Sequence, residues 1–587
     1  MIMNDVGATG GGRPSFNLLE QPWIRVTYLK GRVGLVSLRD LLVEAHRIRE
    51  ISSDMPQQTL PLLRTVEAVL YQAYAQRYQP MIGDDNPTAL LQLWWTLWQT
   101  GQFDPQVIDN YLERYHDRFD LFNPEHPFYQ TPGLTYSSDD KEYDSIGELQ
   151  ADVPKPKKFL FSMRDKNDLD SLTLPEAARW LVFLQAYDPA GIKSPVDGET
   201  HILRNRVYPP KSKVGTGWLG ALGNVYLEQD NLFATLMLNW CLINPRGRGD
   251  DDIWFGKPGD LAPWERKPAG PDMNPDYQPT GIVDMLTLQS RRVRLVPDDS
   301  GSRVVGIIVC YGDVISADNM DAYEPMTAWR YGSENLRKKL GLPTAPRMPV
   351  TFTSDKAIWR QLQPLISAGS NGAGQADDTR PGVIRWVETL LNWNQDDAGS
   401  KKVLQMARIH TQSMIYGPQN SFFSDAIDDS LDANLQLLHL DAAAVDVVVQ
   451  VVERTEDSVK ALGSMVAQLN QSAGNKAQKD RFYAAIARVK ERAYASLDQL
   501  FRQRIAEFGP SEDIEHYRND WFQAIHRDLI AVAGEYRNQS PAPSFLPKAN
   551  GARSSEQIFD RFLSQLNKYL GPLPSREGET ANEKEVQ

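Results

Sequence analysis

The segment Val214–Asn224, VGTGWLGALGN, contains the spacing Gly215-x-Gly217-x-x-Gly220, which is typical of a turn that binds the pyrophosphate of a dinucleotide. Such a turn requires a strand that leads directly into the first glycine and a helix that begins at the last one. Here the preceding residues are RVYPPKSK, so prolines occupy the position of a central strand. We therefore interpret these glycines as residues that permit close packing or tight turns.

Other sequence patterns of catalysis are missing as well. The chain has no GxxxxGK[ST] phosphate loop, no GxSxG motif and no HExxH motif, and its eight histidines are scattered. Cys241 and Cys310 are too few for a disulfide framework or a cysteine-based zinc site. The acidic run Asp250–Asp252 could bind a cation, but a solvated loop is the simpler interpretation. The sequence predicts no active site, no metal and no cofactor.

Basic residues in VPKPKKF are candidates for contact with nucleic acid. Lys155, Lys157 and Lys158 lie on a proline-stiffened segment, and proline limits the entropy lost when a segment is held against a phosphate backbone. A solvated run of lysines is the alternative.

Two arginines lie on a predicted hairpin. The β-branched runs Val293–Val296 and Val304–Val309 flank the turn-forming residues Asp298–Gly301, which predicts two antiparallel strands. Arg292 and Arg294 alternate along one edge of this hairpin, where they are candidates for DNA contact. Solubilisation of a sheet edge is the alternative.

The stretch MIYGPQNSFFSD places two amide side chains after a turn. Gly417 and Pro418 favour a turn that would push Gln419 and Asn420 outward. These amides are candidates for DNA contact, although an ordinary surface turn explains the same pattern.

The net charge of −13 at pH 7 limits how the chain can contact nucleic acid. Proteins that bind nucleic acid over their whole surface are basic, because lysine and arginine replace counterions around the phosphates. Any such contact here must be local. The segment Gly474–Phe508 is one local surface, with eight Lys or Arg against four Asp or Glu, and its candidates are Arg481, Arg488 and Arg492.

The elements that position these candidates change in character along the chain. Residues 16–435 alternate short apolar strands, helical segments and loops rich in Pro, Gly and Asp, which predicts a large α+β domain. Within it, Ala89–Gly101 and Glu176–Asp188 are predicted to be buried helices.

Residues 436–572 contain four amphipathic segments with short connections, which predicts a C-terminal four-helix bundle. In the second segment the apolar stripe consists of Phe482, Ile486, Val489, Ala493, Leu497 and Leu500. Residues 1–15 and 573–587 are predicted to be flexible tails. The first of these lacks the pattern of a signal peptide, and no apolar run is long enough to span a membrane, so we expect a cytoplasmic protein.

Several sequence blocks together resemble one known family, the CasA family, which forms the large subunit of the type I-E CRISPR Cascade complex. The blocks are FNLLEQPWIRV (Phe16–Val26), LFNPEHPFYQ (Leu121–Gln130), GTGWLG (Gly215–Gly220), LTLQSRRVRL (Leu286–Leu295) and EPMTAWRYG (Glu324–Gly332). Their order and the helical C-terminal region also resemble the family, so the resemblance covers nearly the whole chain.

The resemblance implies a non-catalytic protein that recognises the protospacer-adjacent motif in duplex DNA, while guide pairing supplies most of the sequence specificity. Arg294 resembles the family's basic finger, which enters the minor groove and is a lysine in one other family member. Gln419 and Asn420 resemble its wedge beneath the motif. Phe128 and Tyr129 begin what resembles the loop that contacts the 5′ handle of the guide RNA. The segment VPKPKKF lies where the family has a glycine loop, but it contains no glycine.

The leading hypothesis is a DNA-recognition and scaffold subunit whose partners are target DNA, guide RNA, other Cascade subunits and a helicase-nuclease, with no membrane contact. Two alternatives remain open at this point. One is a nucleotide-dependent enzyme or hydrolase that uses the glycine-rich segment, and the other is a helical protein-interaction scaffold that binds no nucleic acid.

Overall fold

The computed structural model describes residues 14–83, 86–151, 170–245, 251–367, 369–370, 376–393, 404–435, 437, 442–472, 479–508, 513–546 and 553–573. The predicted tails 1–15 and 573–587 lie outside these residues, except for residues 14, 15 and 573. Among the described residues, no helix has both the length and the apolar character that a membrane crossing needs.

The helices are α1 Leu38–Val43, α2 Thr59–Ile82, α3 Pro87–Thr100, α4 Pro105–Arg114, α5 Leu174–Tyr187, α6 Leu232–Asn239, α7 Ile282–Leu286, α8 Glu334–Leu340, α9 Gln363–Ile366, α10 Gly382–Trp393, α11 Ala442–Ser472, α12 Lys479–Glu507, α13 Ile514–Asn538 and α14 Ser555–Leu570.

The strands are β1 Ile24–Tyr28, β2 Val33–Val36, β3 Ile48–Ile51, β4 Asp144–Ser145, β5 Leu172–Thr173, β6 Ile202–Leu203, β7 Arg206–Val207, β8 Val225–Glu228, β9 Ile243–Pro245, β10 Asp251–Ile253, β11 Arg291–Pro297, β12 Arg303–Tyr311, β13 Trp329–Tyr331, β14 Arg347–Pro349, β15 Gly369–Ser370, β16 Ala376–Asp377, β17 Met406–Tyr416 and β18 Phe423–Asn434.

The chain forms two compact units. The first contains Met1–Lys356, Ala368–Ala398 and Arg408–Ser430, and the second contains Ala357–Ser367, Gly399–Ala407 and Leu431–Gln587. The second unit thus takes in two segments that precede the helices, in addition to the continuous region that begins at Leu431.

The first unit mixes small antiparallel sheets with buried helices. The predicted helices at Ala89–Gly101 and Glu176–Asp188 are present as α3 and α5, and each begins at a side-chain cap, Asn86 for α3 and Thr173 for α5. The most enclosed helix is α2, in which every residue from Leu60 to Ala75 is buried. A helix that is buried on all sides must satisfy its own polar side chains internally.

Two hairpins of the first unit carry candidate residues. In the first, β11 pairs antiparallel with β12, and Arg294 lies opposite Ile308. This hairpin was predicted at Val293–Val309 and is confirmed. In the second, β17 and β18 are neighbours in a three-stranded sheet whose other edge is β8. The residues between Tyr416 and Phe423 therefore form the tip of a long hairpin.

The second unit contains the predicted helices α11–α14. Helix α11 packs against each of the other three, and its buried residues include Val448, Val459 and Leu462. In α12 the buried stripe is shifted from the prediction, because Phe501 and Ile505 are fully buried whereas Phe482, Ile486 and Leu500 are only partly covered.

The shift in α12 is explained by a side chain that is distant in sequence. Trp359, from the short segment Ala357–Ser367, stacks on Phe501 with ring centroids 3.9 Å apart, and its indole donates a hydrogen bond to Asp498 at 2.9 Å. This ring covers the C-terminal half of α12. A sequence pattern taken from the helix alone does not contain that partner.

Candidate nucleic-acid interface

Strand β11 carries three arginines, and the first is locked into the protein interior. The Nε atom of Arg291 donates to Asp188 at 2.5 Å, and Lys193 donates to the same carboxylate oxygen at 2.6 Å. Burial alone would raise the pKa of Asp188, but these two cations hold it below its ordinary value. The guanidinium of Arg291 also lies 4.7 Å from the ring centre of Tyr311. These contacts fix the beginning of the strand.

Arg292, a predicted DNA contact, is buried as well. Its side chain is 4% exposed and donates two hydrogen bonds to the carboxylate of Asp313, at 2.7 and 3.2 Å. Both charges are therefore neutralised away from the surface. In this conformation Arg292 supports the strand and presents no free cation to a phosphate, and its assignment to DNA contact stays a prediction.

Arg294 differs from its two neighbours. Its side chain is only partly buried, and it forms no ion pair with any residue that the structure describes. The Nε atom is enclosed and has no hydrogen-bond partner among those residues. Within the described part of the chain, Arg294 is thus the arginine of β11 whose charge stays unneutralised.

The backbone of β11 is held on the side away from β12. Gln130 accepts a hydrogen bond from the Leu295 amide at 2.7 Å, and the Val293 carbonyl accepts one from the Thr131 amide at 2.8 Å. Gln185 bonds both the amide and the carbonyl of Arg291, at 2.9 and 3.0 Å. With both sides occupied, β11 is a rigid base for the Arg294 side chain.

Gln419 and Asn420 lie at the tip of the β17–β18 hairpin and are exposed. Both have left-handed backbones, with φ of 58° and 52°. The predicted turn is therefore present, and it is tightened below the tip. Gly417 lies so close to the ring of Phe422 that an added Cβ would be 2.0 Å from a ring atom, and its amide donates to the Phe422 carbonyl at 2.9 Å.

The predicted basic surface on α12 is exposed where its side chains are described. Arg488 is exposed, and Arg492 forms a 3.5 Å ion pair with Glu535 in which both side chains are about half exposed. Such surface pairs contribute little stability and leave the charge accessible. The backbone of Arg481 is helical, but its side chain lies outside the described residues, as do Lys155, Lys157 and Lys158.

Phe128 and Tyr129, the predicted guide-RNA contacts, are 1% and 5% exposed. Their rings lie against each other and against Trp264, and Tyr129 has a left-handed φ of 55°. In this conformation both side chains pack inside the protein and are not available to a ligand. Their contact with the guide RNA stays a prediction.

The glycine-rich segment is packed against protein. A Cβ atom on Gly217 would lie 2.3 Å from the carbonyl carbon of Ala186, and one on Gly220 would lie 2.3 Å from the Tyr416 hydroxyl. Where a dinucleotide-binding motif would have the beginning of an α-helix, this segment has only the short 3₁₀ turn Trp218–Ala221. The interpretation as close packing is confirmed, and the dinucleotide site lacks both its strand and its space.

Sequence reasoning missed the buried ion pair that links helix α2 to two of the sequence blocks. Arg64 of α2 forms a bidentate pair with Glu324, at 2.8 and 2.9 Å, and the indole of Trp218 donates to Glu324 at 2.6 Å. Burial raises the pKa of the neighbouring Glu67 carboxyl, although Arg64 opposes this. A charged residue within an apolar helix was the available signal, because such a residue requires a buried partner.

Comparison with known families places the chain among the CRISPR-associated proteins. Residues 17–532 match the family described as CRISPR-associated protein Cse1, and the chain belongs to that family. The resemblance to the CasA family is thereby confirmed, as is the predicted α+β fold with a helical C-terminal region.

Individual relatives agree with this assignment. The CRISPR-associated protein CasA/Cse1 of Thermus thermophilus is 29% identical over 361 residues, an alignment that spans 61% of this chain and 61% of that protein. The crystal structure of Thermobifida fusca Cse1 is 30% identical, with a TM-score of 0.80 over 95% of this chain and 98% of that one. A chain from a CRISPR RNA-guided surveillance complex, 19% identical, shares the fold with a TM-score of 0.64 over 94% and 99% of the two chains.

Proposed function

We propose that this chain is the large subunit of an RNA-guided CRISPR surveillance complex, in which it recognises the protospacer-adjacent motif of double-stranded DNA. In this role it promotes separation of the strands beside the motif and recruits a helicase-nuclease. Its other partners are the guide RNA 5′ handle and further Cascade subunits. The role assigns no catalytic residue to the chain.

The observation that carries the proposal is the contrast among the arginines of β11. Two of them are buried against Asp188 and Asp313, whereas Arg294 keeps a charge that no described residue neutralises. A cation held on a rigid hairpin suits a narrow minor groove, where the negative potential is enhanced. Family membership supports the same role, since Arg294 resembles the basic finger.

The tip of the second hairpin supports a role in strand opening. Two exposed amides on a tight turn, Gln419 and Asn420, can occupy the space left when the first base pair parts. Arg488 and Arg492 are suited to the phosphate backbone, because phosphate contacts position DNA without selecting its sequence.

Two alternative functions make different predictions. The close packing of Gly217 and Gly220 argues against a nucleotide-dependent enzyme that uses this segment. A helical scaffold without nucleic acid would bind other subunits but would not affect the choice of DNA.

The test is a gel-shift experiment with the assembled complex, with and without this chain, on targets that differ only in the flanking motif. We expect tight binding only when both the chain and the motif are present. Binding that ignores the motif would overturn the proposal. Nucleotide binding by the isolated chain would support the enzyme instead.

A further inference from the structure

A small hairpin outside the sites described above carries a cluster of exposed cations. Strands β6 and β7 pair antiparallel, with Ile202 opposite Val207 and Leu203 opposite Arg206, so Arg204 and Asn205 form a two-residue turn. Arg204 and Arg206 are exposed, and neither forms an ion pair with a residue that the structure describes. The chain as a whole has a net charge of −13, so these two cations lie on a protein that is acidic overall.

The backbone of this turn is unusual for its sequence. Arg204 and Asn205 both have left-handed φ values, 51° and 57°. Two-residue turns of this kind favour Asn-Gly, Asp-Gly or Gly-Gly, because side chains other than those of Gly, Asn and Asp are disfavoured in the left-handed region. The fold therefore holds an arginine where a smaller residue would fit better, and a guanidinium consequently sits at the hairpin tip. Conformations of this kind concentrate at functional sites.

The surroundings of the tip combine charge with apolar and aromatic surface. Leu203 is 62% exposed and Tyr208 is 37% exposed, and Lys211 follows as a further exposed cation. Two neighbouring acids each lie beside a basic side chain, since Asp272 is 3.4 Å from the His201 ring and Asp276 pairs with Lys213 at 3.1 Å.

The base of the hairpin is firmly anchored. Val207 is fully buried, and its amide and carbonyl exchange 3.0 Å hydrogen bonds with Lys193. Val207 belongs to the same hydrophobic cluster as Ile308, the residue opposite Arg294. The two hairpins thus rest on one common hydrophobic core.

We infer that the β6–β7 hairpin is a binding site for the phosphate backbone of duplex DNA, an inference that rests on the proposed function. Guanidinium groups form bidentate hydrogen bonds with phosphate, which makes arginine well suited to this contact. Arg204 and Arg206 clamp successive phosphates, and Lys211 adds a point charge. This contact strengthens binding without selecting sequence.

The test measures binding of the full-length chain to a short duplex of arbitrary sequence by fluorescence anisotropy over a range of salt concentrations. The double variant Arg204→Asn/Arg206→Gln should bind roughly three- to tenfold more weakly at low salt. The slope of log affinity against log salt should fall by about 1 to 2, since each lost phosphate contact removes about 0.9. The control Lys338→Gln/Lys339→Gln removes two charges from the exposed helix α8 and should leave the slope unchanged.

A stability measurement separates a binding role from a structural one. Asparagine is favoured in the left-handed region, so Arg204→Asn should keep or raise the thermal midpoint while it weakens DNA binding. A lowered midpoint with unchanged binding would overturn the inference, as would an unchanged salt slope or a parent chain that does not bind duplex at low salt. If the double variant bound DNA normally but failed to join the complex, the hairpin would be a protein interface.

These outcomes are distinct from a failure of the proposed function. Motif recognition is measured on the assembled complex with paired targets, whereas the hairpin is measured on duplex without a motif. The complex can therefore select the motif even if the β6–β7 hairpin contributes nothing, and loss of motif selection leaves the salt slopes as an independent result.

Discussion

Strand β11 and helix α12 both carry several arginines, but the two elements use them in different ways. On β11, Arg291 and Arg292 are enclosed with carboxylates, and Arg294 remains unpaired among the described residues. On α12, the described cations Arg488 and Arg492 lie at the surface, where Arg492 has one weak partner. The strand thus holds a single charge on a rigid backbone, whereas the helix presents several exposed charges whose side chains are not fixed by buried partners.

Under the proposed function, this difference predicts two kinds of contact with DNA. A charge on a rigid support has a fixed position relative to a DNA groove. The affinity lost when that charge is removed therefore depends on which DNA is bound. Charges on an exposed helix follow the phosphate backbone, so their loss affects all DNA alike. The predictions below test whether these two behaviours can be separated.

The largest effect is expected when the support of β11 is damaged. Asp188→Asn leaves Arg291 and Lys193 side by side in the interior without their shared carboxylate. Breaking a buried ion pair in this way costs about 3 to 5 kcal/mol. In urea denaturation, the midpoint of the first unfolding transition should move to a lower urea concentration. Asp299→Asn, on the exposed turn of the same hairpin, is the control, and an equal shift for both variants would show that the buried network is not needed.

The next effect concerns the unpaired charge itself. Arg294→Ala should weaken binding of the complex to motif-bearing duplex by about 1 to 3 kcal/mol, as expected for the loss of one close groove contact. Arg294→Lys should retain most of the affinity. Targets with strands already separated should be affected less, as measured by gel shift. An equal loss on both targets would assign Arg294 to the backbone or to the fold.

The amides at the tip of the β17–β18 hairpin should affect the rate of opening more than affinity. Gln419→Gly/Asn420→Gly removes both side chains and accommodates the left-handed backbone, which alanine would strain. Opening of paired DNA should slow on the order of tenfold, because unstacking costs about a few kcal/mol per step. Fluorescence of a base analogue at the first pair reports this rate.

The control for the amides is DNA that carries a mismatched bubble beside the motif. Hybrid formation on this DNA should be nearly normal in the double variant, because the first pair is already open. If the double variant opened paired DNA as fast as the parent protein, Gln419 and Asn420 would be part of an ordinary surface turn.

The smallest effect at any single salt concentration is expected on α12. Replacing Arg481, Arg488 and Arg492 by Gln should weaken binding to all targets by less than about 1 kcal/mol in total and flatten the salt dependence. The matched control replaces three cations at or near α14, namely Arg553, Arg561 and Lys568. If both triple variants had the same salt slope as the parent, the α12 surface would face a protein neighbour or solvent.

The sequence predicted those features that depend on local pattern. The turn residues Asp298–Gly301 between two β-branched runs were sufficient to locate the β11–β12 hairpin, and helical periodicity was sufficient to locate α11–α14. Gly417-Pro418 likewise located the turn that exposes Gln419 and Asn420. In each case the information lies within a few residues of the feature.

The environments of single residues were harder to predict because their partners are remote. Asp313 lies 21 residues after Arg292, and nothing near Arg292 distinguishes it from Arg294. Phe128 was predicted at a contact surface, but its ring packs against Phe119 and Trp264, whose positions depend on the whole unit. Strand alternation indicates the face on which a side chain lies, but it does not indicate what covers that face.

The bidentate contact between Arg64 and Glu324 has a consequence for synthesis on the ribosome. The two residues are 260 positions apart, so at about 5 to 20 residues per second the carboxylate emerges roughly 13 to 50 s after the guanidinium. During that interval α2 cannot be enclosed with its charge neutralised, and its apolar surface is open to chaperones and to aggregation. Nascent chains released before Glu324 should therefore be insoluble or chaperone-bound, because the ion pair can form only in chains that extend past Glu324.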